Sequence, residues 1–409
     1  MRSRLRLDPI LIFFVVTRRE CGERSSVVFR SLCIDSPHPD VIRTVAEVMG
    51  QVYANPSSIH GAGGQAEQLI RRSREVIARA LQVEPEEILF TSGATESNNI
   101  AIFGIAKAYQ AAGKPIHMIV SEVEHASVYK CVQQLEQEGI EVTYLPVDEN
   151  GRVRPDEVEA AIRPHTVLVS IMHVNNEMGA IQPIGEVGDM LRRYPKVTFH
   201  VDGVQGLGKV PVHLAEWGVD LYSLSGHKIQ GPRGAGVLVK RKQVALKPLM
   251  YGGSQEGELR PGTENVPCIV GLAKAVRLAV EGQSERYDKL VRLRQFVLEH
   301  LSQMKPLVVN SPAVPYGAPH IINVSYPGMK SEVVVHALEQ RGIIVSTQSA
   351  CSSKLHKPSR VLLAMTHNSQ VAASGIRISL DANCSEDELK RLVQSFKEMT
   401  EQLKSLVQR

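Results

Sequence analysis

The sequence predicts an α/β fold in two domains, on three observations. From residue 37 onward, short apolar runs alternate with amphipathic segments of helical period. Strands that alternate with helices build a mostly parallel sheet covered on both faces. At 409 residues the chain exceeds one ordinary core, so two domains are expected. A long helical stretch, roughly Val266 to Leu301, then leads into a region of different order. The expected division is an atypical N-terminal segment over 1–36, a large domain over 37–283 and a smaller α+β domain over 284–409.

Each element has its own signal. PHPDVIRTVAEVMGQV reads as an amphipathic helix with an acidic first turn. The loop ANPSSIHGAGGQA precedes a long helix from about Glu67 to Leu81. EILFTSGATESNNIAIFGIAKAY is strand, tight glycine turn and helix. Strand HMIVSEVEH, a helix near Ala126 to Glu138, strand EVTYLPVD and a helix near Pro155 to Ile162 follow. Strand TVLVSIMHV, a helix near Ile184 to Tyr194 and a strand ending at Asp202 complete the run. The second domain reads as HIINVSYPG, a helix near Ser331 to Arg341, a loop around Cys351, the strand GIRISL and a final helix from Ser385.

Composition excludes several classes. A hydrophobic content of 43% with 22% charged residues is that of a soluble globular protein. The net charge of +4 is scattered, with no basic block interleaved with aromatics, so nucleic acid is not a direct ligand. The six cysteines (Cys21, Cys33, Cys131, Cys268, Cys351, Cys384) lie far apart without a C-x-x-C pair. That pattern points to a reducing, cytoplasmic setting and against a disulfide framework or structural zinc.

Residues 1–36 differ from the rest. They carry seven arginines and no lysine around the apolar run Ile10 to Val16, which is too short to span a bilayer. No membrane partner is expected. A basic start with a short apolar run is a feature of secretory signals. Here, however, Thr17-Arg18-Arg19-Glu20 stands in place of a small-residue cleavage site, and Asp8 interrupts the basic region. An arginine-rich transit segment, and a start foreign to the fold through a misplaced start or an upstream frame error, are the other two readings.

The chemistry centres on Asp202 to Lys228. The apolar run Val197 to Val201 ends on Asp202, and Lys228 sits among Ser225, Gly226, His227 and Gly231. Open α/β sheets bind ligands at the carboxyl ends of their strands. A carboxylate and a lysine with space beside it are what pyridoxal phosphate needs: an amine to carry it and an acid to keep its pyridine nitrogen protonated. Singly, the two residues also read as a strand-end aspartate and a surface lysine.

Other strand ends carry further candidates, each with an ordinary structural alternative. Ser92-Gly93-Ala94-Thr95-Glu96-Ser97 joins a strand to a helix, and its N–H groups with the Thr95 hydroxyl suit a phosphate; it is equally a capped βα turn. His125, past HMIVSEV, can stack on a ring or shuttle a proton, or be a hydrogen-bonded structural histidine. Asn176 and Gln205 can donate to a phenolic oxygen or cap helices. Ser225 and His227 flank Lys228 closely enough to reach a phosphate. Thr263 in RPGTEN can serve a phosphate or cap the next helix. Cys351, in a polar loop with Lys354, His356 and Lys357 near in sequence, is a candidate nucleophile or an inert thiol. Arg377 in GIRIS can fork a substrate carboxylate or form a surface ion pair.

Taken together, SGATESNN, HVNNE, HVDGVQ, SGHKIQGP, RPGTENV, SACSS and GIRISL resemble, in order and spacing, the cysteine desulfurases of the NifS/IscS type within the class V aminotransferase-like enzymes. The resemblance covers about residues 37 to 405. It implies a type I PLP-dependent transferase fold, with a mostly parallel seven-stranded sheet and a smaller α+β C-terminal domain carrying the catalytic cysteine loop. It implies that Lys228 carries pyridoxal phosphate, Asp202 holds the pyridine nitrogen and His125 stacks on the ring. Asn176 and Gln205 would flank the phenolic oxygen, and Asn176 would also meet substrate. Ala94, Thr95, Ser225 and His227 would hold the phosphate, with Thr263 arriving from the partner of a homodimer. Cys351 would form the persulfide, on a loop to Pro358 similar to the longer, mobile version of the scaffold-feeding group, and Arg377 would grip the substrate carboxylate. No metal is implied.

The implied reaction turns L-cysteine into L-alanine and passes sulfur to an acceptor protein, for iron–sulfur assembly, tRNA thiolation or cofactor sulfuration. Selenocysteine lyase is the rival of the same fold. A third reading is a partner protein that binds the cofactor with impaired turnover. It arises from one departure: where the family opens with a strand of the type Y-L-D-N-A-A-T-T, this chain has RSLCIDS.

Overall fold

The computed structural model of the protein describes residues 36–347 and 358–407. Two sheets organise the described residues. The first holds seven strands: β1 (Ile88–Thr91), β2 (His117–Ser121), β3 (Glu141–Leu145), β4 (Thr166–Ser170), β5 (Thr198–Asp202), β6 (Leu221–Ser225) and β7 (Gly236–Lys240). Their order is β1-β7-β6-β5-β4-β2-β3. The pairs from β6 through β5, β4 and β2 to β3 are parallel, whereas β7 runs antiparallel to both β6 and β1. Thus β1, β2, β4, β5 and β6 deliver their carboxyl ends to one edge, where such sheets place their ligands.

Helices cover both faces. The helices over this sheet are α1 (Pro39–Gln51), α2 (Gly61–Leu81), α3 (Ala94–Ala111), α4 (Ala126–Gln137), α5 (Pro155–Ala160), α6 (Ile184–Leu191) and α7 (Val266–Val280). Strand β7 shows the two-residue alternation that divides the core. Val237 and Val239 pack with Ile77 of α2 and Leu272 of α7, while Leu238 faces the other way, with Ile105 of α3 and Val132 of α4. The expected helix ends near Ile162 and Tyr194 fall a few residues early, at Ala160 and Leu191.

The long helix expected over Val266 to Leu301 is two helices. After α7 the chain passes Gly282, whose φ of 67° lies in the left-handed region, before α8 (Gln283–Leu301). That conformation costs glycine little and ends helical hydrogen bonding. Beyond it lies a smaller C-terminal domain with its own antiparallel sheet, in the order β10 (Ser346–Thr347), β11 (Gly375–Ser379), β9 (Ile321–Ser325), β8 (Val308–Val309). Its remaining helices are α9 (Ser331–Glu339), α10 (Arg360–Thr366), α11 (Ser369–Ala373) and α12 (Glu386–Val407). Ile376 and Ile378 of β11 pack into this domain's core with Val297 of α8, Leu338 of α9 and Phe396 of α12. Alternation therefore turns Arg377, buried between them in sequence, to the opposite face. Among the described residues, no helix is long and apolar enough to cross a membrane, and no histidine, cysteine and acid cluster suits a metal.

Candidate active site

The strand ends meet in a cavity of about 490 Å³. Ala94, Thr95, His125, Asn176, Asp202, Gln205, Ser225, His227, Lys228 and Arg377 all line it. Two predicted members do not. Thr263 is exposed and outside the lining, and Cys351 lies outside the described residues. A larger depression of about 980 Å³, beside α2 and the loop through Gln255 and Glu256, contains none of these groups. Size alone would point to the wrong place, because chemistry needs convergent polar groups.

Asp202 terminates β5 and is 3% exposed. Its Oδ1 accepts the Val204 N–H at 3.1 Å, and its Oδ2 accepts Asn98 Nδ2–H at 2.8 Å. Asn98 was not singled out in the sequence. It follows Ala94 by four residues on α3 and so shares the face that looks toward the cavity. Its Nδ2 also donates to Ser127 Oγ at 2.8 Å. Ser127 in turn lies 2.8 Å from His125 Nδ1, which accepts the Ser127 N–H at 3.2 Å and so caps α4. His125 thus caps a helix, as its structural alternative has it, and also lines the cavity. Burial keeps its pKa below the usual 6.5, Lys228 and Arg360 add to this, and Asp202 opposes it. The neutral ring accepts at Nδ1 and therefore carries its proton on Nε2.

The turn at Gly93 has φ 152°, and a Cβ there would meet Ser225 Oγ at 3.5 Å. Beneath it, a Cβ on Gly236 would stand 2.5 Å from Gly93 Cα. Two glycines thus let the amino end of α3 lie against β6 and β7. The Glu96 carboxylate clamps the turn, accepting the Ser92 N–H and Arg260 Nε–H, the latter at 3.1 Å. Ser225 Oγ is 2.8 Å from His227 Nδ1. Burial, with Lys228 and Arg233 nearby, lowers His227 to a pKa of about 4, so this ring is also neutral at pH 7. Arg377 reaches across from the smaller sheet and donates through Nη1 to the Asn176 carbonyl at 2.7 Å. Asn175 is occupied differently: its Oδ1 accepts the N–H groups of Glu177 and Met178 and shapes the turn.

These residues fit pyridoxal phosphate. A buried carboxylate, a half-buried lysine, a flat neutral imidazole and a glycine-lined helix start with hydroxyls share one cavity. Beside Asp202, the Asn98 Oδ1 atom is buried without a hydrogen-bond partner among the described residues.

The aminotransferase class-V model matches residues 36–392. The chain belongs to the class-V aminotransferase family. A NifS/IcsS protein homolog of Lactobacillus delbrueckii is 42% identical over 88% of this chain and 94% of its own length. The cysteine desulfurase IscS of Methanosarcina thermophila is 40% identical over 94% of this chain and 96% of the relative. Among solved structures, a NifS-like protein superposes with a TM-score of 0.86 at 34% identity, over 92% of this chain and all of that one. As a class-V member, the protein is a pyridoxal phosphate enzyme of the type I transferase fold expected from its motifs.

Proposed function

We propose that the protein is a cysteine desulfurase that converts L-cysteine to L-alanine and hands the sulfur to an acceptor protein. The observation that carries this reading is the convergence of Asp202, Lys228 and Arg377, from β5, the turn after β6 and the smaller sheet, in one cavity. The relatives named cysteine desulfurase, at about 40% identity over nine-tenths of the chain, support it.

Bound pyridoxal phosphate supplies an electron sink that loosens bonds at the substrate's α and β carbons. Lys228 would hold it through Nζ and would be the base that moves the substrate's α proton. Asp202, fixed by Val204 and Asn98, would hold the pyridine nitrogen. Asn176 and Gln205 would hold the phenolic oxygen, and Asn176 would also meet the substrate. Ala94, Thr95, Ser225 and His227 bind the phosphate, with Thr263 contributed by the partner of a homodimer. His125 would hold the ring and move protons at Nε2, while Arg377 would orient the substrate carboxylate. Cys351 takes the sulfur: its S–H becomes S–S–H as the substrate's carbon–sulfur bond breaks, and alanine leaves with the balancing proton.

Large apolar side chains at the surface support the homodimer. Met49 is 69% exposed, Tyr53 90% and Tyr251 82%. Scattered cysteines support a cytoplasmic setting. An iron–sulfur scaffold or a tRNA-thiolation enzyme is the acceptor we propose, in line with the relatives named IscS.

The test is a visible spectrum, then alanine release from L-cysteine, for the parent, Lys228→Ala and Cys351→Ala. The expected result is a cofactor band in the parent, altered in Lys228→Ala, with release abolished in both variants. A colourless parent that takes up no added cofactor sinks the reading.

A further inference from the structure

The turn that carries Asn176 is buried throughout, from residue 175 to residue 180. Every carbonyl in it accepts a hydrogen bond. The two at its ends are satisfied within the turn: Asn175 O accepts the Gly179 N–H at 3.1 Å, and Ala180 O accepts the Asn175 N–H at 2.9 Å. The four between them all accept from the smaller domain. Arg377 Nη1 donates to Asn176 O at 2.7 Å, Asn323 Nδ2 to Glu177 O at 3.1 Å and Ser311 Oγ to Met178 O at 2.6 Å. The Ala318 N–H donates to Gly179 O at 2.7 Å. A buried carbonyl has no water to turn to, so the turn lies where these four donors put it. The start of α10 adds two contacts that leave these carbonyls alone: Ser359 Oγ donates to Glu177 Oε2, and Arg360 Nη2 to the Glu124 carbonyl, each at 2.5 Å.

Asn323 stands directly opposite Arg377 in the smaller sheet, where β9 pairs antiparallel with β11. Ile322 and Val324 face the core of that domain, as Ile376 and Ile378 do. Alternation therefore puts Asn323 and Arg377 on the other face, with their Cβ atoms roughly 5 Å apart. Two neighbouring side chains thus take two consecutive carbonyls. Asn323 is itself held on two sides. Its Oδ1 accepts Asn310 Nδ2–H at 2.7 Å, and its backbone N–H donates to Ser311 Oγ at 2.8 Å. Because a carbonyl only accepts, the amide must turn Nδ2 to Glu177 O and Oδ1 to Asn310. Asn323 is buried and does not line the cavity, so what it does there it does through its neighbours.

We propose that Asn323 is a positioning residue for the substrate carboxylate. It fixes the Asn176 turn against the smaller sheet and so sets the Asn176 side chain and the Arg377 guanidinium at one distance and angle. The inference rests on the desulfurase reading, which gives both of those residues to the substrate. An arginine grips a carboxylate well only in the plane of its fork, and the Arg377 fork is steadied on the Asn176 carbonyl. A turn that slips takes this support with it. Lys228, Asp202 and the turn at Gly93 stand on the larger sheet, away from Asn323, so the cofactor's own anchors are spared. Aspartate at position 323 would keep the shape of asparagine and set an oxygen without a proton against the Glu177 carbonyl.

The experiment compares parent, Asn323→Ala, Asn323→Asp and Ser311→Ala, all loaded with cofactor. Each is titrated with L-alanine, and with ethylamine, which is alanine without its carboxylate; the cofactor's absorbance reports binding. In both position-323 variants L-alanine affinity is expected to fall at least about tenfold, because small displacements cost heavily at such a site. Affinity for ethylamine and for the cofactor is expected to stay within about threefold of the parent. In the cofactor-free proteins, amide exchange over residues 177–180 is expected to quicken. Ser311→Ala, which frees the Met178 carbonyl and the Asn323 N–H, is expected to show the same selective loss at about threefold. Should neither position-323 variant fold, Ser311→Ala decides alone. L-alanine affinity equal to the parent overturns the inference, and so does parallel loss of L-alanine, ethylamine and cofactor affinity. A parent that releases no alanine from L-cysteine overturns the desulfurase reading and this inference with it.

Discussion

At the scale of single residues, the site works through burial. Asp202 and Glu124 are both carboxyl groups at strand ends, 3% and 1% exposed, yet their surroundings differ. Asp202 accepts a hydrogen bond at each oxygen. Glu124 has one oxygen engaged and one buried without a partner. Burial lifts Glu124 from 4.5 to about 8, with Asp202 adding to the rise and Ser121, Met172 and Arg360 opposing it. Between those values the folded chain keeps a proton that the unfolded chain has released. This group's contribution to stability is therefore complete below pH 4.5 and is lost as pH rises to about 8. A tenfold difference in proton affinity between the two states corresponds to about 1.4 kcal/mol. Glu124→Gln cannot ionise, so it is expected to gain a few kcal/mol relative to the parent between pH 5 and pH 8. Urea unfolding at the two values checks this; parallel changes in both proteins would assign Glu124 no part.

At the scale of elements, the site depends on how closely one turn approaches one strand. A Cβ at position 236 would lie 2.5 Å from Gly93 Cα and 2.7 Å from the Leu224 carbonyl oxygen. Both are backbone atoms, so no rotamer change relieves the contact. Gly236→Ala is expected to displace the turn before α3 and weaken cofactor affinity at least tenfold, since a displacement of roughly 1 Å can cost about a hundredfold at such a site. Titration of cofactor absorbance measures it, and affinity equal to the parent would mean that the turn adapts. The root of α10 is the second close approach, joining residues 236 and 182 positions apart in sequence.

At the scale of the whole molecule, the unfinished feature is the exposure of Met49, Tyr53 and Tyr251. Single exposed apolar residues are common, and a homodimer of the kind proposed would bury large ones such as these. Sedimentation is expected to give twice the chain mass. Tyr53→Asp with Tyr251→Asp is expected to move the mass toward one chain and, if Thr263 serves the other subunit's phosphate as proposed, to lower cofactor retention. A doubly substituted chain that remains paired and keeps its cofactor would move the interface elsewhere.

Much of the fold and most of the site were legible in the sequence, because each signal was local. An apolar run that ends on Asp202, or that is followed within a few residues by His125 or Asn176, states both a strand and what stands beyond it, and ten predicted residues line one cavity. The alternation within GIRIS was enough to set Arg377 apart from Ile376 and Ile378. Tertiary structure alone decided the rest. The antiparallel sense of β7, the break between α7 and α8 at Gly282, and the choice of Asn98 to hold Asp202 from 104 residues away depend on packing between distant elements. So does the docking of Arg360 on the Glu124 turn. Sequence periodicity reports which face of an element is apolar; which partner that face or its neighbouring polar atom meets is fixed only when the chain closes on itself.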